Sequence, residues 1–223
     1  MSAESSEMIS SNRWAGPVAL KAQTLDAGPT VLFCPPVAVL CAQLNSVYHD
    51  IEGLDVYDIN RDARTFSGGM PVIAHPPCRS WSAHCAHQAK PAPGERELGL
   101  WCVDQVKRWG GVLEQPARSR LWDAARLPKP GWTHTRDFWA MEVWQAWWGY
   151  PMRKATWLLF SQICPMTVRT PLQLHPRGCD RRREQLMSKN ERSKTTPEFA
   201  RWLVMTARQV GQNTEVNSGA KTP

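Results

Sequence analysis

Between residues 71 and 114 the sequence runs apolar, then helical, then apolar again, and that order restricts the fold more than any other feature. Pro71–Ala74 is short and wholly apolar, as a strand covered on both faces must be. Glu95–Trp109 places Leu98, Trp101, Cys102, Val106 and Trp109 on one helical face, and Gly110-Gly111 supplies the stop. Val112–Leu113 then begins another strand that runs into Glu114. A strand, a covering helix and a second strand make a unit whose strands pair in parallel.

The same alternation is expected elsewhere. Val31–Phe33 reads as a strand, and Val37–Tyr48 as a helix with Val37, Leu40, Cys41 and Leu44 on one stripe. Leu54–Tyr57 is a strand ending at Asp58. Asp137–Trp148 reads as a helix aligning Phe138, Met141, Trp144 and Trp148, and Thr156–Phe160 as a strand. Thr196-Pro197-Glu198 opens a last helix with a cap and an N1 proline, followed by Phe199, Trp202, Leu203, Thr206 and Val210. The expectation is one α/β domain over residues 13–210, a Rossmann-like, mostly parallel sheet covered by helices. Residues 1–12 and 211–223 are polar and aperiodic and read as tails.

Composition narrows the partners. The 223 residues are 42% hydrophobic and 21% charged, a globular balance. No apolar run reaches the length of a membrane span, and the N-terminus lacks the basic and apolar regions of a signal peptide. Seven cysteines follow no regular framework, so they read as reduced thiols of a cytoplasmic protein. The net charge of +7 permits an acidic partner such as nucleic acid. Twelve tryptophans serve either as core packing or as platforms for bases.

In a parallel sheet, sites form at the carboxyl ends of the strands, so the segments after Ala74 and Leu113 are the candidates here. His75-Pro76-Pro77-Cys78-Arg79-Ser80-Trp81 leaves the first of these ends, and its two prolines make a stiff, non-helical exit. Cys78 there is either a nucleophile on a rigid loop or a structural thiol. Glu114, in Gly111-Val112-Leu113-Glu114-Gln115-Pro116, is either an acid/base group or a partner for an arginine. The histidines and cysteines at 75, 78, 84, 85 and 87 are too crowded for the usual zinc spacing, and no metal is expected.

Pro76, Pro77 and Cys78 after one strand, with Glu114 ending the next, resemble the C5-cytosine DNA methyltransferases. These enzymes carry Pro-Pro-Cys in the catalytic loop and Glu-Asn-Val at the next strand, where this chain has Glu114-Gln115-Pro116. Gly149-Tyr150-Pro151-Met152-Arg153-Lys154 resembles their Gly-x-Pro-Gln-Arg-Arg motif, with Arg153 the matching arginine. Asp62 corresponds to an acidic residue before the catalytic strand. The chain is also similar to a short group of phage and prophage relatives of these enzymes.

The resemblance implies a methyltransferase-like fold and a DNA base-modifying transferase. Cys78 would attack C6 of a flipped pyrimidine, Glu114 would act as the acid, and Arg153 would complete the catalytic set. Arg79 and Arg153 would lower the thiol's pKa, and Pro77, Arg79 and Ser80 would contact DNA. Asp55, Asp58 and Asp62 would face S-adenosylmethionine, although Cys34-Pro35-Pro36 stands where the family has a glycine-rich turn. Residues 161–195 form a basic insertion in the place of a target-recognition region. Residues 177–194 hold seven Lys/Arg against three acids, and Arg181, Arg182 and Arg183 are its candidate phosphate contacts. The alternative is a catalytically degenerate methyltransferase fold that binds DNA or counters restriction.

Overall fold

The computed structural model describes residues 35–82, 90–131, 137–171 and 187–211. The expected strand Val31–Phe33 lies outside them, as do His84, Cys85, His87 and Arg181–Arg183. Six strands form one mixed sheet: β1 (Val37–Leu40), β2 (Leu54–Val56), β3 (Val72–Ala74), β4 (Gly111–Pro116), β5 (Phe138–Trp144) and β6 (Ala155–Ser161). Their spatial order is β2-β1-β3-β4-β6-β5. The pairs β1–β2, β1–β3 and β3–β4 are parallel, and β6 runs antiparallel between β4 and β5.

Four helices accompany the sheet among the described residues: α1 (Glu95–Trp109), α2 (Leu121–Ala124), α3 (Lys189–Ser193) and α4 (Pro197–Ala207). Successive strand residues point to opposite faces, so each strand feeds two cores. Val37, Val39, Ile73, Val112, Leu158 and Phe160 pack with Phe199, Leu203 and Val204 of α4. Ala38, Leu40, Val72, Leu113 and Leu159 pack with Cys102, Val103 and Val106 of α1. The molecule is therefore α/β with helices on both faces of a mixed sheet.

α1 and α4 occur as the sequence predicts. Thr196 accepts a hydrogen bond from Phe199 N at 3.3 Å, and Pro197 occupies N1. Glu95 and Glu97 stand in the first turn of α1 and Lys107 and Arg108 in its last, the arrangement that opposes the helix dipole.

Two expected helices are strands instead. Residues 37–40 are β1, all fully buried, because four successive apolar residues suit a strand covered on both faces. Cys41 then takes a left-handed backbone (φ 62°), and only a 3-10 turn at Val47–Asp50 follows. Leu44, placed on the helical stripe by its spacing, is exposed. Residues 138–144 are β5 rather than helix. Their aromatic and β-branched content favours a strand, and Trp139 stacks on its cross-strand partner Phe160 with centroids 4.2 Å apart. A 3-10 turn at Gln145–Trp148 and Gly149 at φ 77° lead towards β6. The antiparallel β6 also corrects the expectation that parallel pairing would continue along the chain.

Trp81, Trp122, Trp139 and Trp148 are buried, so these four tryptophans serve the core. Among the described residues, no helix is long and apolar enough to cross a membrane.

Candidate active site

β1 lies between β2 and β3, so the chain leaves β1 in one direction and then returns past it. Strand order reverses there, and the carboxyl ends of β1, β3 and β4 border that reversal. His75 continues the ladder out of β3, its amide donating to Leu40 O at 2.9 Å. The Pro-Pro loop comes next. Gln115 Nε2 donates to the Pro76 carbonyl, and Ser119 Oγ donates to Gln115 Oε1 at 3.1 Å. The residue standing where the resembling family has asparagine thus ties the cysteine loop to β4.

A 3-10 turn at Arg79–Trp81 carries the loop onward, and Trp81 is buried beneath it. Arg79 Nε donates to both oxygens of Glu95, at 2.7 and 2.8 Å, and Ser80 Oγ reaches Glu95 at 3.4 Å. Arg79 and Ser80, expected to contact DNA, here clamp the loop to the start of α1. The Arg79 hydrogen bond, opposed by burial, holds the Glu95 carboxyl below its ordinary value. Pro77 is half-buried and Cys78 is exposed at the loop's tip.

Behind Cys78 lies a polar chain. Tyr48 Oη meets His75 Nε2 at 2.9 Å, and His75 Nδ1 meets Glu114 Oε2 at 3.1 Å. Gln145 Nε2 donates to Glu114 Oε1 and to Thr156 Oγ1, both at 3.0 Å, and Thr156 Oγ1 donates to Lys154 O at 3.2 Å. His75 and Glu114 are largely buried. Gln145 Oε1 is buried without a hydrogen-bond partner among the described residues.

The charges in this group act on one another. Burial pushes the Glu114 carboxyl up, but the His75 hydrogen bond and charge, Lys154 and the Gln145 hydrogen bond together bring it below its ordinary value. Desolvation by surrounding protein pushes the Cys78 thiol up although part of it reaches solvent, and the Glu114 carboxylate adds to that rise. Its own backbone amide, Lys154 and Arg79 oppose the rise and do not overcome it. Arg79 thus lowers the thiol's pKa as expected, but burial and Glu114 outweigh it, and Arg153 is not among the groups that act on it. Arg153 is exposed, and the neighbouring Lys154 is the cation whose field reaches both Cys78 and Glu114. Burial lowers the Lys154 pKa, while Glu114 and Cys78 pull it back up.

These couplings fix a pH response. Alkylation of Cys78 by iodoacetamide should rise at a pH above that of an ordinary thiol. Glu114→Gln removes a negative charge, so its alkylation profile should move to lower pH. Lys154→Met removes a positive charge and should move it higher. Peptide mass spectrometry after timed alkylation resolves Cys78 from the other thiols. An unmoved profile in both variants would disconnect the three groups.

The three acids expected to face a cofactor are engaged locally. Asp55 pairs with Arg61 and accepts from Tyr57 Oη at 2.8 Å, while Arg61 also lies over the Tyr57 ring. Asp58 accepts from Asn60 N at 2.8 Å and lies 3.4 Å from His49 Nε2. Asp62 caps the 3-10 turn before β3 through Arg64 N at 3.0 Å. The exit of β1 has no glycine, and Cys41 Sγ there lies 3.7 Å from Cys102 Sγ. Asp55, Asp58 and Asp62 therefore each have a local partner within the β2 exit and the turns that follow it. Among the described residues, no group of three His, Cys, Asp or Glu side chains is placed to hold a metal.

No protein-family model, curated protein or solved structure matches this chain. The site's own geometry is therefore the ground for its chemistry. His75, Tyr48, Gln145 and Lys154 are the residues that sequence reasoning did not assign to it. His75 borders the Pro-Pro-Cys loop and Lys154 borders Arg153, so both had a positional signal. Tyr48 and Gln145 sit inside the two expected helices that the fold replaces.

Proposed function

We propose that this protein is a DNA base-modifying enzyme related to the C5-cytosine DNA methyltransferases, in which Cys78 adds to C6 of a flipped pyrimidine while Glu114 holds the base edge. One observation carries the reading. The Cys78 loop leaves β3, Glu114 stands within the neighbouring parallel strand β4, its charge acts on the Cys78 thiol, and Glu114 is anchored in a buried network. The reversal of strand order at β1 and β3 supports a Rossmann-like site, since such sheets bind ligands at that point. The net charge of +7 supports an acidic polymer as partner.

The resting thiol is protonated, so addition is a net transfer of S–H across the C5=C6 bond. Sulfur bonds to C6, the π pair moves towards C5 and the C4 substituent, and C5 takes a proton to replace the one sulfur gave up. Elimination reverses the step, and loss of the original C5 hydrogen returns an exchanged base. Glu114 would orient the ring at N3, and the Lys154 ammonium would oppose the negative charge that develops near C4. A base within a duplex cannot meet Cys78 unless it leaves the stack.

The test needs no donor. Single-stranded DNA carrying tritium at C5 of cytosine or of uracil should release label to water when incubated with the protein. Release from neither base would end the covalent reading. The engaged state of Asp55 favours a second reading, a DNA-binding protein of the same fold without catalysis. It predicts salt-sensitive binding with no release from either base.

A further inference from the structure

Two thiols meet where the sheet packs against α1. Cys41 follows the last residue of β1, Cys102 lies midway along α1, and their sulfurs are 3.7 Å apart. A disulfide bond is about 2.05 Å long, so each sulfur need travel only about 1 Å along the line between them. The backbone around Cys41 is pinned on both sides. Leu40 O accepts from His75 N and Ala42 N donates to Tyr57 O, each at 2.9 Å. Between these bonds Cys41 takes a left-handed backbone, φ 62°, which a residue with a Cβ keeps only where its neighbours over-determine it. Pairing of β1 with β2 and β3 thus fixes the Cys41 side chain against the α1 core.

Access to the two sulfurs differs. Cys102 is fully buried beside Val103 and Val106, whereas Cys41 is half-buried. The contact with Cys41, and then burial, raise the Cys102 thiol well above its ordinary value, with Arg64 opposing. A reagent arriving from solvent meets Cys41 first. Cys102 then reacts with what Cys41 becomes, the arrangement of an exposed thiol poised beside a resolving one.

We propose that Cys41 and Cys102 form a redox modification site, converted by a small peroxide into a reversible disulfide between β1 and α1. The inference goes beyond the reading proposed for Cys78 and does not depend on it. The peroxide transfers one oxygen to the Cys41 sulfur, giving a sulfenic acid and water. The Cys102 sulfur attacks that sulfur, and the hydroxyl departs with the Cys102 proton as a second water. The two thiols together lose two electrons, and the peroxide takes them. The bridge spans 61 residues of sequence, an interval that holds β2, β3 and the loop carrying Cys78. It would tie the exit of β1 to the helix whose first turn clamps Arg79.

The experiment treats the whole protein with hydrogen peroxide, quenches with catalase, alkylates the remaining thiols and maps peptides without reductant. A Cys41–Cys102 linked peptide should appear and be lost on treatment with dithiothreitol. The oxidised protein should melt about 5–10 °C higher than the reduced one, the scale of closing a loop of that length. In Cys102→Ser the bridge should be absent, and dimedone should label Cys41 as the stranded sulfenic acid. In Cys41→Ser, Cys102 should stay reduced under the same treatment. The wild-type map carries the test if either variant fails to fold. Oxidation of Cys41 to a sulfinic acid with Cys102 still a thiol would overturn the proposal, as would a bridge from Cys41 to a different cysteine. A Cys41–Cys102 bridge that lowers the melting temperature would also overturn it, because the fold would then resist the bond rather than present it.

Discussion

Cys78→Ala is expected to abolish C5-hydrogen exchange and leave the folded protein nearly as stable as before. The side chain is exposed and makes no capping hydrogen bond at its 3-10 turn. Surface substitutions of that kind change stability by about 0.5 kcal/mol or less. The chemical loss should be far larger. Without sulfur there is no covalent adduct, and removal of an enzyme's nucleophile costs on the order of 10⁴-fold or more. His75, Glu114 and Lys154 would remain in place and could still hold a base, so binding of DNA should survive. Tritium release and a melting curve on the same preparation check both halves. Exchange that persists in the alanine variant would assign the chemistry to a different group.

The largest structural effect should come from Gly111→Ala. Gly111 opens β4 opposite Val72 of β3, at φ 119°. A Cβ built there would stand 2.0 Å from Val72 O and 2.7 Å from Val72 N, inside the backbone of the neighbouring strand. No rotamer relieves such a contact. The strands must separate, at the point where His75 and Glu114 depend on their register. Backbone strain of about 1–3 kcal/mol adds to an overpacking cost of similar size. The combined loss is a large part of the roughly 5–15 kcal/mol that holds a typical domain together. We expect the melting temperature to fall by about 10 °C or more. Gly69→Ala is the control, since its backbone is also at positive φ but nothing lies within 4 Å of the added carbon. Equal effects at the two positions would mean that β3 and β4 are not held at the spacing described.

How much of the fold can be read from the sequence depends on whether the signal is local. α1 and α4 are legible because amphipathic spacing, glycine stops and the Thr196-Pro197 cap all lie within or beside the helices themselves. β3, β4 and β6 are legible as short apolar runs. β1 and β5 are not, because their apolar residues also fit a helical spacing. Only pairing with β2, β3 and β6 decides between the two periods.

The site divides in the same way. Pro-Pro-Cys and the glutamate of the next strand can be found from strand order alone, although β4 runs two residues beyond Glu114 to Pro116. The cations and hydrogen-bond donors that set their chemistry come from the β1 exit, the turn after β5 and the start of β6. No spacing rule connects Tyr48, His75, Gln145 and Lys154 along the chain. Arg79 shows the converse: next to the cysteine in sequence, it spends its guanidinium on Glu95.

The sheet order has a consequence for synthesis. β5 is translated before β6, yet among the described residues its strand partner is β6, which also separates it from β4. A chain still growing on the ribosome therefore carries β5 as an unpaired ribbon beside an incomplete sheet. Only the arrival of β6 joins the two, and the same strand brings Thr156 to anchor Gln145. A nascent or truncated chain ending before β6 would carry Cys78, His75, Glu114 and Gln145 without the strand that pairs with β4 and β5 and without the Thr156 anchor, so the buried network would be assembled only once β6 is in place.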